Sequence, residues 1–246
     1  MVSTVKVDVV APRVATGTTT LGISGDKLLV PSGVTMTNSG TLSGFPGFSK
    51  WTPVTASDAT FDLQTGTTKV LLEVQASGGD AGDNSAANYE GGMGGCGAYA
   101  KKLLTGMTGA TDKLNITIGA VAGAGASGTT TSVAQAGTAS FTTVTCIGGA
   151  GGVSGTASAY GTGGAGGALP TTGDLNIAGT NGAGAYLGDV SSNSMMGSGG
   201  VSTGLSGVTR PGADATGYGA GGQAGINASQ AGGSGSGAVV IVTEYK

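Results

Sequence analysis

The chain has 246 residues, 53 of them Gly, with 9% charged residues, no His and a formal net charge of −3; that charge balance excludes the basic footprint of a nucleic-acid or anionic-membrane binder. With 38% apolar residues the chain also lacks the low-hydropathy, high-charge signature of disorder. Six Pro and glycines without a strict three-residue period exclude collagen, and the longest apolar runs, such as Ala238 to Val242, are far too short for a membrane-spanning helix.

At the N-terminus, MVSTVKVDVV has no basic region followed by an apolar core, so synthesis in a cytosol without a signal peptide is expected. Thr4 to Val10 alternates apolar and polar residues and places Val5, Val7 and Val9 on one strand face. Ala11 and Pro12 end it. Short β-prone pieces follow at Thr18 to Leu21, Lys27 to Val30 and Val34 to Thr37, cut by Gly and Pro. Such pieces bury too little on their own in about fifty residues, so residues 1–50 are expected to attach or trimerise with sister chains, through Val5, Val7 and Val9. Ser39 to Phe48 is rich in turn formers and is expected to be a linker carrying the aromatics Phe45 and Phe48.

A second unit, 51–246, is expected to start near Lys50 and Trp51. Its predicted strands are Lys69 to Ala76 with Val70, Leu72 and Val74 inward, Ala98 to Leu104, Leu114 to Ile118, Phe141 to Ile147, and Ala238 to Tyr245. The last is nearly continuous in apolar and β-branched residues, as a strand buried on both faces would be. Gly and β-branched residues interrupt every candidate helix. The expected fold class is therefore all-β.

Between these strands lie glycine arrays, 78–97, 119–128 and 148–237, with GGAGG twice in the last. A residue without a side chain buries almost no apolar area and loses the most backbone entropy on ordering. Packing of side chains cannot hold such a stretch. The available alternative is a set of polyproline-II-like helices, three residues per turn and without internal hydrogen bonds. Their N–H and C=O groups must find partners on neighbouring segments, which Gly lets come close. The expected architecture is a β-sandwich-like glycine-rich domain with such segments and long loops.

Residues that carry chemistry are few. Without His there is no conventional nucleophile triad, and Cys96 and Cys146 lack zinc spacing and are expected to be buried free thiols. Asp58 with Asp62, and Asp80, Asp83 with Glu90, supply the paired acids a glycosidase needs, but Asp also favours turns for local hydrogen bonding. Asp80 and Asp83 could join backbone carbonyls around Ca²⁺, though no repeated Asp spacing supports a metal. GxGxxG spacings arise by chance at this glycine content, and no Gly-Lys-Ser/Thr or helix follows them. No enzyme activity and no cofactor are expected.

The bulky residues set inside the glycine field are the candidate site: Tyr89, Tyr160, Tyr186, Leu187, Met195, Met196 and Tyr218. Tyrosine gives large contact area at low entropy cost plus one hydroxyl, and a rigid scaffold displaying a few such side chains suits adhesion. Packing within the glycine layers or at a subunit seam is the other role open to them. For Tyr99, inside a predicted strand, packing is expected.

The motifs VLLEVQASGGDAG, GGMGGCGAYAKKLLTGMTGATDKLNITIGAVAGAGASGTTTS, FTTVTCIGGAGG and GSGSGAVVIVTEY, in that order over Lys69 to Tyr245, resemble the glycine-rich domain at the end of many bacteriophage tail-fibre and receptor-binding proteins. STVKVDVVAPR and TTLGISGDKLLVPSGVTMTNSGTLSG look like the attachment or shaft-like start of short phage fibres. The resemblance implies a virion protein made in the host cytoplasm, a homotrimer that joins other tail proteins through its N-terminal region. It also implies adhesion of the distal domain to a host-surface receptor, lipopolysaccharide or an outer-membrane protein. In the related adhesins of T-even-like phages, polyglycine helices form a rigid sandwich whose connecting loops touch the receptor. The glycine runs here depart from that pattern in holding much Ala, Ser and Thr. A structural virion subunit, a fibre connector or decoration protein, is the alternative function.

Overall fold

Alternating apolar and polar residues fix the strands, and the glycine runs between them fold by a different rule. The computed structural model describes residues 47–84, 89–121, 123, 125–185, 192–200, 209–226 and 229–246. Val5, Val7, Val9, Tyr186 and Leu187, with the strand and linker expectations for residues 1–46, lie outside the described residues.

Eleven strands are described: β1 (Phe48–Val54), β2 (Asp58–Asp62), β3 (Lys69–Gln75), β4 (Tyr99–Thr105), β5 (Asp112–Thr117), β6 (Thr131–Gly137), β7 (Val144–Cys146), β8 (Leu175–Ile177), β9 (Met196–Ser198), β10 (Thr216–Tyr218) and β11 (Val239–Tyr245). One antiparallel sheet has the order β1-β11-β3-β4-β8 and a second the order β2-β5-β6-β7, while β9 and β10 pair alone. The fold is all-β, with no helix among the described residues. The predicted strand Phe141 to Ile147 shrinks to the three residues of β7. Phe48, expected in a linker, opens β1, although it stays largely exposed.

The two larger sheets face each other. Val70, Leu72 and Val74 of β3, Val240 and Val242 of β11, and Ala100 and Leu104 of β4 meet Leu114 and Ile116 of β5, Val133 of β6, and Val144 and Cys146 of β7. Phe61, Ile118, Phe141 and Val54 close the rim. Removing a buried Leu from such a core costs about 2–5 kcal/mol. Glu244 is fully buried on the inner face of β11. Its Oε2 accepts from the Gln64 amide and the Thr67 hydroxyl, both at 2.7 Å, and so ties the β2–β3 turn to the last strand.

Beyond the sandwich, the glycine runs form a lattice of extended helices with three residues per turn. Along 91–98, the amides of Gly92, Gly95 and Ala98 donate to Val153, Ala150 and Ile147. Met93 and Cys96 donate to Ala183 and Thr180, and Gly94 and Gly97 to Gly222 and Gly219, all between 2.8 and 3.0 Å. Every third amide points to the same neighbour, as a threefold helix requires. In 78–84, Gly78, Ala81 and Asn84 donate to Ser236, Gly233 and Gln230, while Gly79 and Gly82 donate to Gly95 and Gly92. In 161–167, Gly161, Gly164 and Gly167 donate to Glu90, Met93 and Cys96.

Burial keeps the same period. In GTGGAGGA, Gly161, Gly164 and Gly167 are buried and Thr162, Ala165 and Ala168 are exposed. Ala and Thr in this run therefore occupy the outward third of the turn, and the less regular composition does not interrupt the lattice. Polar side chains complete it where a backbone acceptor is missing. Asp80 Oδ1 accepts from Gly235 N and Asp83 Oδ1 from Gly232 N, three residues apart on the same run. Asp214, Asn181 and Ser127 do the same for Ser234, Gly166 and Gly151. An amide buried without a partner costs about 1–3 kcal/mol, so these side chains are part of the lattice. Burial raises the Asp80 carboxyl above its usual range, with the Gly235 amide opposing and Asp214 adding to the rise.

Two buried acids lie where the sandwich meets the lattice. Burial, then the hydrogen bond its hydroxyl donates to Glu73 at 2.7 Å, raises the Tyr99 phenol. Burial likewise pushes the Cys146 thiol up to about 12. Each binds its proton more tightly folded than unfolded. The stability they contribute is intact below their ordinary values of 9.0 for Cys and 10.0 for Tyr and is lost as pH rises through the folded values. The melting temperature is expected to fall steadily from about pH 9 upward, and less steeply in a Cys146→Ala, Tyr99→Phe double variant. An unchanged slope in that variant, followed by calorimetry, refutes the assignment.

Candidate functional site

Each glycine run leaves or enters a strand at one end, and the opposite ends converge. Runs 78–84, 148–155, 179–185 and 219–226 lead outward from β3, β7, β8 and β10, and runs 91–98, 161–168 and 230–237 lead back. Their outer ends are bonded together: Asn84 N donates to Gln230 O at 2.9 Å, Gly155 N to Asp83 O at 3.0 Å, Gly161 N to Glu90 O at 2.9 Å and Ala185 N to Gly161 O at 3.2 Å. The loop ends at residues 89–90, 156–160 and 229–230 are thereby held side by side on a backbone-bonded base.

Tyr89 and Tyr160, 71 positions apart in sequence, meet at this tip with ring centroids 5.0 Å apart and planes inclined at 60°. Edge-to-face pairs of this kind add about 0.5–1.5 kcal/mol beyond their buried area. Tyr160 remains 44% exposed, so the pair fixes the ring and still presents it to solvent. Beside it opens a polar cleft of about 350 Å³ lined by Asp83, Asn84, Ser229, Gln230 and Ala231. Ser229 there has φ of 57°, an uncommon conformation for a residue with a side chain that clusters at functional loops. Of these cleft residues the sequence singled out Asp83 alone, as one of a group of acids; the other four escape it because the cleft exists only once 84 and 230 are paired.

The structure sets three other predicted residues apart from the tip. Met196 pairs with Tyr218 across β9 and β10, and the Ser194 hydroxyl makes a short bond to the Tyr218 carbonyl. Met195 is 59% exposed and lines a small cavity of about 130 Å³ with Tyr99, Ile177 and Cys96, beside the edge strand β8. The predicted set thus divides into a tip pair and a flank group.

The carboxylates are engaged locally. Asp58 accepts from the Thr60 amide at 2.9 Å, Asp62 pairs with Lys113 at 2.6 Å, and Asp80 and Asp83 hold the 230–237 run as described. Among the described residues no three His, Cys, Asp or Glu side chains group as metal ligands. Cys96 and Cys146 are buried free thiols; Cys96 Sγ accepts from Thr180 N at 2.9 Å within the lattice, and Cys146 lies in the sandwich core.

No protein-family model matches the sequence, and no curated protein is similar to it.

Proposed function

We propose that this protein is a bacteriophage tail-fibre protein that adheres to a receptor on the surface of the host bacterium, lipopolysaccharide or an outer-membrane protein. The observation that carries the reading is the tip, where a rigid glycine lattice holds Tyr89 and Tyr160 together beside a polar cleft. The ordered motif series from Lys69 to Tyr245 supports it independently. A lattice held by backbone bonds at every third residue loses little further entropy when its tip meets a ligand, and pre-organisation of that kind raises affinity. Residues 1–50 serve attachment and assembly as a homotrimer, and the glycine-rich domain contacts the host. No catalytic step enters this function.

The test is adsorption. Purified full-length chain is expected to bind host cells and to compete with phage for them; protein that neither binds nor competes refutes adhesion. One observation favours a second reading, a connector or decoration subunit of the virion: the exposed Phe48, Trp51, Leu103 and Leu175 on strands of the five-stranded sheet. Immunolabelling at an internal joint of the particle, and none at the fibre end, would select that reading.

A further inference from the structure

A pyranose ring shows C–H groups on its faces and hydroxyls around its edge, each hydroxyl both a donor and an acceptor. The C–H face is drawn to the electron-rich side of an aromatic ring, and the edge to carboxylate, amide and hydroxyl groups. The tip offers both. Tyr160 is the aromatic platform: its contact with Tyr89 is edge-to-face, which, unlike a stack, leaves at least one side of each ring uncovered by the other. Asp83 anchors the polar part. Its Oδ1 accepts from Gly232 N at 2.9 Å, which fixes the carboxylate, while Oδ2 accepts nothing from the described residues. The exposed Ser229 and the half-buried Gln230 line the same cleft from the run paired with Asn84. Gly155 joins the two parts. Its amide donates to Asp83 O at 3.0 Å, and a methyl in its place would run into the Tyr89 carbonyl.

Size and charge narrow the ligand. At about 350 Å³ the cleft lies near the low end of the roughly 300–1,000 Å³ of small-molecule sites, which suits a short stretch of sugar chain. A protein loop is gripped by burying an apolar anchor in a desolvated pocket, and here the depression is polar and the aromatic ring stands beside it. Among the described residues that line the cleft, Asp83 alone is charged, and Glu90 brings a second carboxylate to the tip. Ser85 to Asn88 and Asn227 with Ala228, which interrupt these runs in the sequence, include no Lys or Arg. Arg210 belongs further back, where its backbone pairs with Ile226. Like charges repel at this range, so a sugar bearing phosphate or carboxylate is disfavoured and a neutral one is not.

We infer that the tip binds an electrically neutral saccharide, with one hexose ring stacked on Tyr160 and its hydroxyls held by Asp83 Oδ2, Ser229 and Gln230. The inference rests on the adhesion reading and selects surface glycan over outer-membrane protein as what the tip touches. Tyr89 is a positioning residue that holds the platform.

The full chain is applied to an array of neutral hexose and N-acetylhexosamine oligosaccharides and their phosphate- and uronate-bearing counterparts. It is also applied to host cells treated with periodate, which cleaves the vicinal diols of sugars, or with a protease. Wild type is expected to bind neutral members of the array. Tyr160→Ala should weaken that binding about ten- to a hundredfold. Asp83→Asn keeps an acceptor for Gly232 N and loses the carboxylate, so a loss of about tenfold is expected. Met195→Ala should bind as wild type does, and circular dichroism verifies that all three variants fold. Periodate should abolish binding to cells, and protease should not. Array binding confined to anionic members, binding to no member, or neutral binding that survives both Tyr160→Ala and Asp83→Asn overturns the inference. Binding to cells that resists periodate and is lost to protease overturns it as well, yet leaves adhesion standing. Binding of neutral glycan by a chain that adsorbs to no cells upholds the site and refutes adhesion.

Discussion

Gly94→Ala is expected to prevent the lattice from forming, while Gly184→Ala leaves the protein folded with its melting temperature unchanged or slightly raised. Both glycines lie in lattice runs. A methyl on Gly94 would fall within 3 Å of the Gly79 carbonyl, backbone that cannot swing aside as a side chain can. Run 91–98 is buried along its whole length, and run 78–84 at every residue except the half-buried Asp83. Separating the two breaks the bonds from Gly79 to Gly95 and from Gly82 to Gly92 and moves every run they contact. At about 0.5–1.5 kcal/mol for each bond lost and more for each amide left buried without a partner, the damage exceeds the roughly 5 kcal/mol that separates severe substitutions from ordinary ones. A methyl on Gly184, by contrast, meets nothing closer than the Gly161 carbonyl at 3.7 Å, an ordinary contact. There the substitution acts mainly by reducing the freedom of the unfolded chain, worth about 0.4–1 kcal/mol in favour of folding. Calorimetry on both variants decides it. A Gly94→Ala protein melting within a few degrees of wild type would show that the runs slide past one another and are not locked.

The physics that makes Gly94 irreplaceable also explains which parts of the fold the sequence displays. Strands β3, β4, β5 and β11 can be read directly, because Val70, Leu72 and Val74 or Val240 and Val242 repeat every second residue and each pair faces the core. Strands β1 and β6 carry Pro53 or a run such as Ser132, Ala134 and Ala136, and their strand character comes from pairing with β11 and β5. Nothing local announces it.

The glycine field is more instructive. A lattice of threefold helices was inferable from the absence of side chains to pack, but its register was not. That register is present in the run GGMGGCGA as sulfur-bearing side chains at every third place, Met93 and Cys96. The same third-place rule puts Asp80 and Asp83 together on the 230–237 run. As a pair of acids they suggested glycosidase chemistry; as acceptors spaced by one turn they replace missing backbone partners. The difference lies in which chain runs alongside. No local pattern encodes a neighbour separated by 155 residues.

Replacing Tyr160 with Ala is expected to weaken binding to host cells by about ten- to a hundredfold, the range for an aromatic anchor at the centre of a contact. Tyr89→Ala should weaken it less, because Tyr89 is only partly exposed and acts mainly by holding the Tyr160 ring at 5.0 Å in an edge-on contact. The double variant separates display from packing. If the pair works as a unit, the double loss in affinity is close to that of Tyr160→Ala alone, with a coupling of about 0.5–1.5 kcal/mol between the rings. Stability should change little, because the tip is held from below by the Gly155–Asp83 and Gly161–Glu90 backbone bonds, which neither substitution removes. Met195→Ala, at the flank beside β8, provides the contrast: with the tip as the contact surface it leaves adsorption intact. Full binding by the Tyr89→Ala, Tyr160→Ala double variant, together with loss of binding in Met195→Ala, would move the receptor site from the tip to the flank.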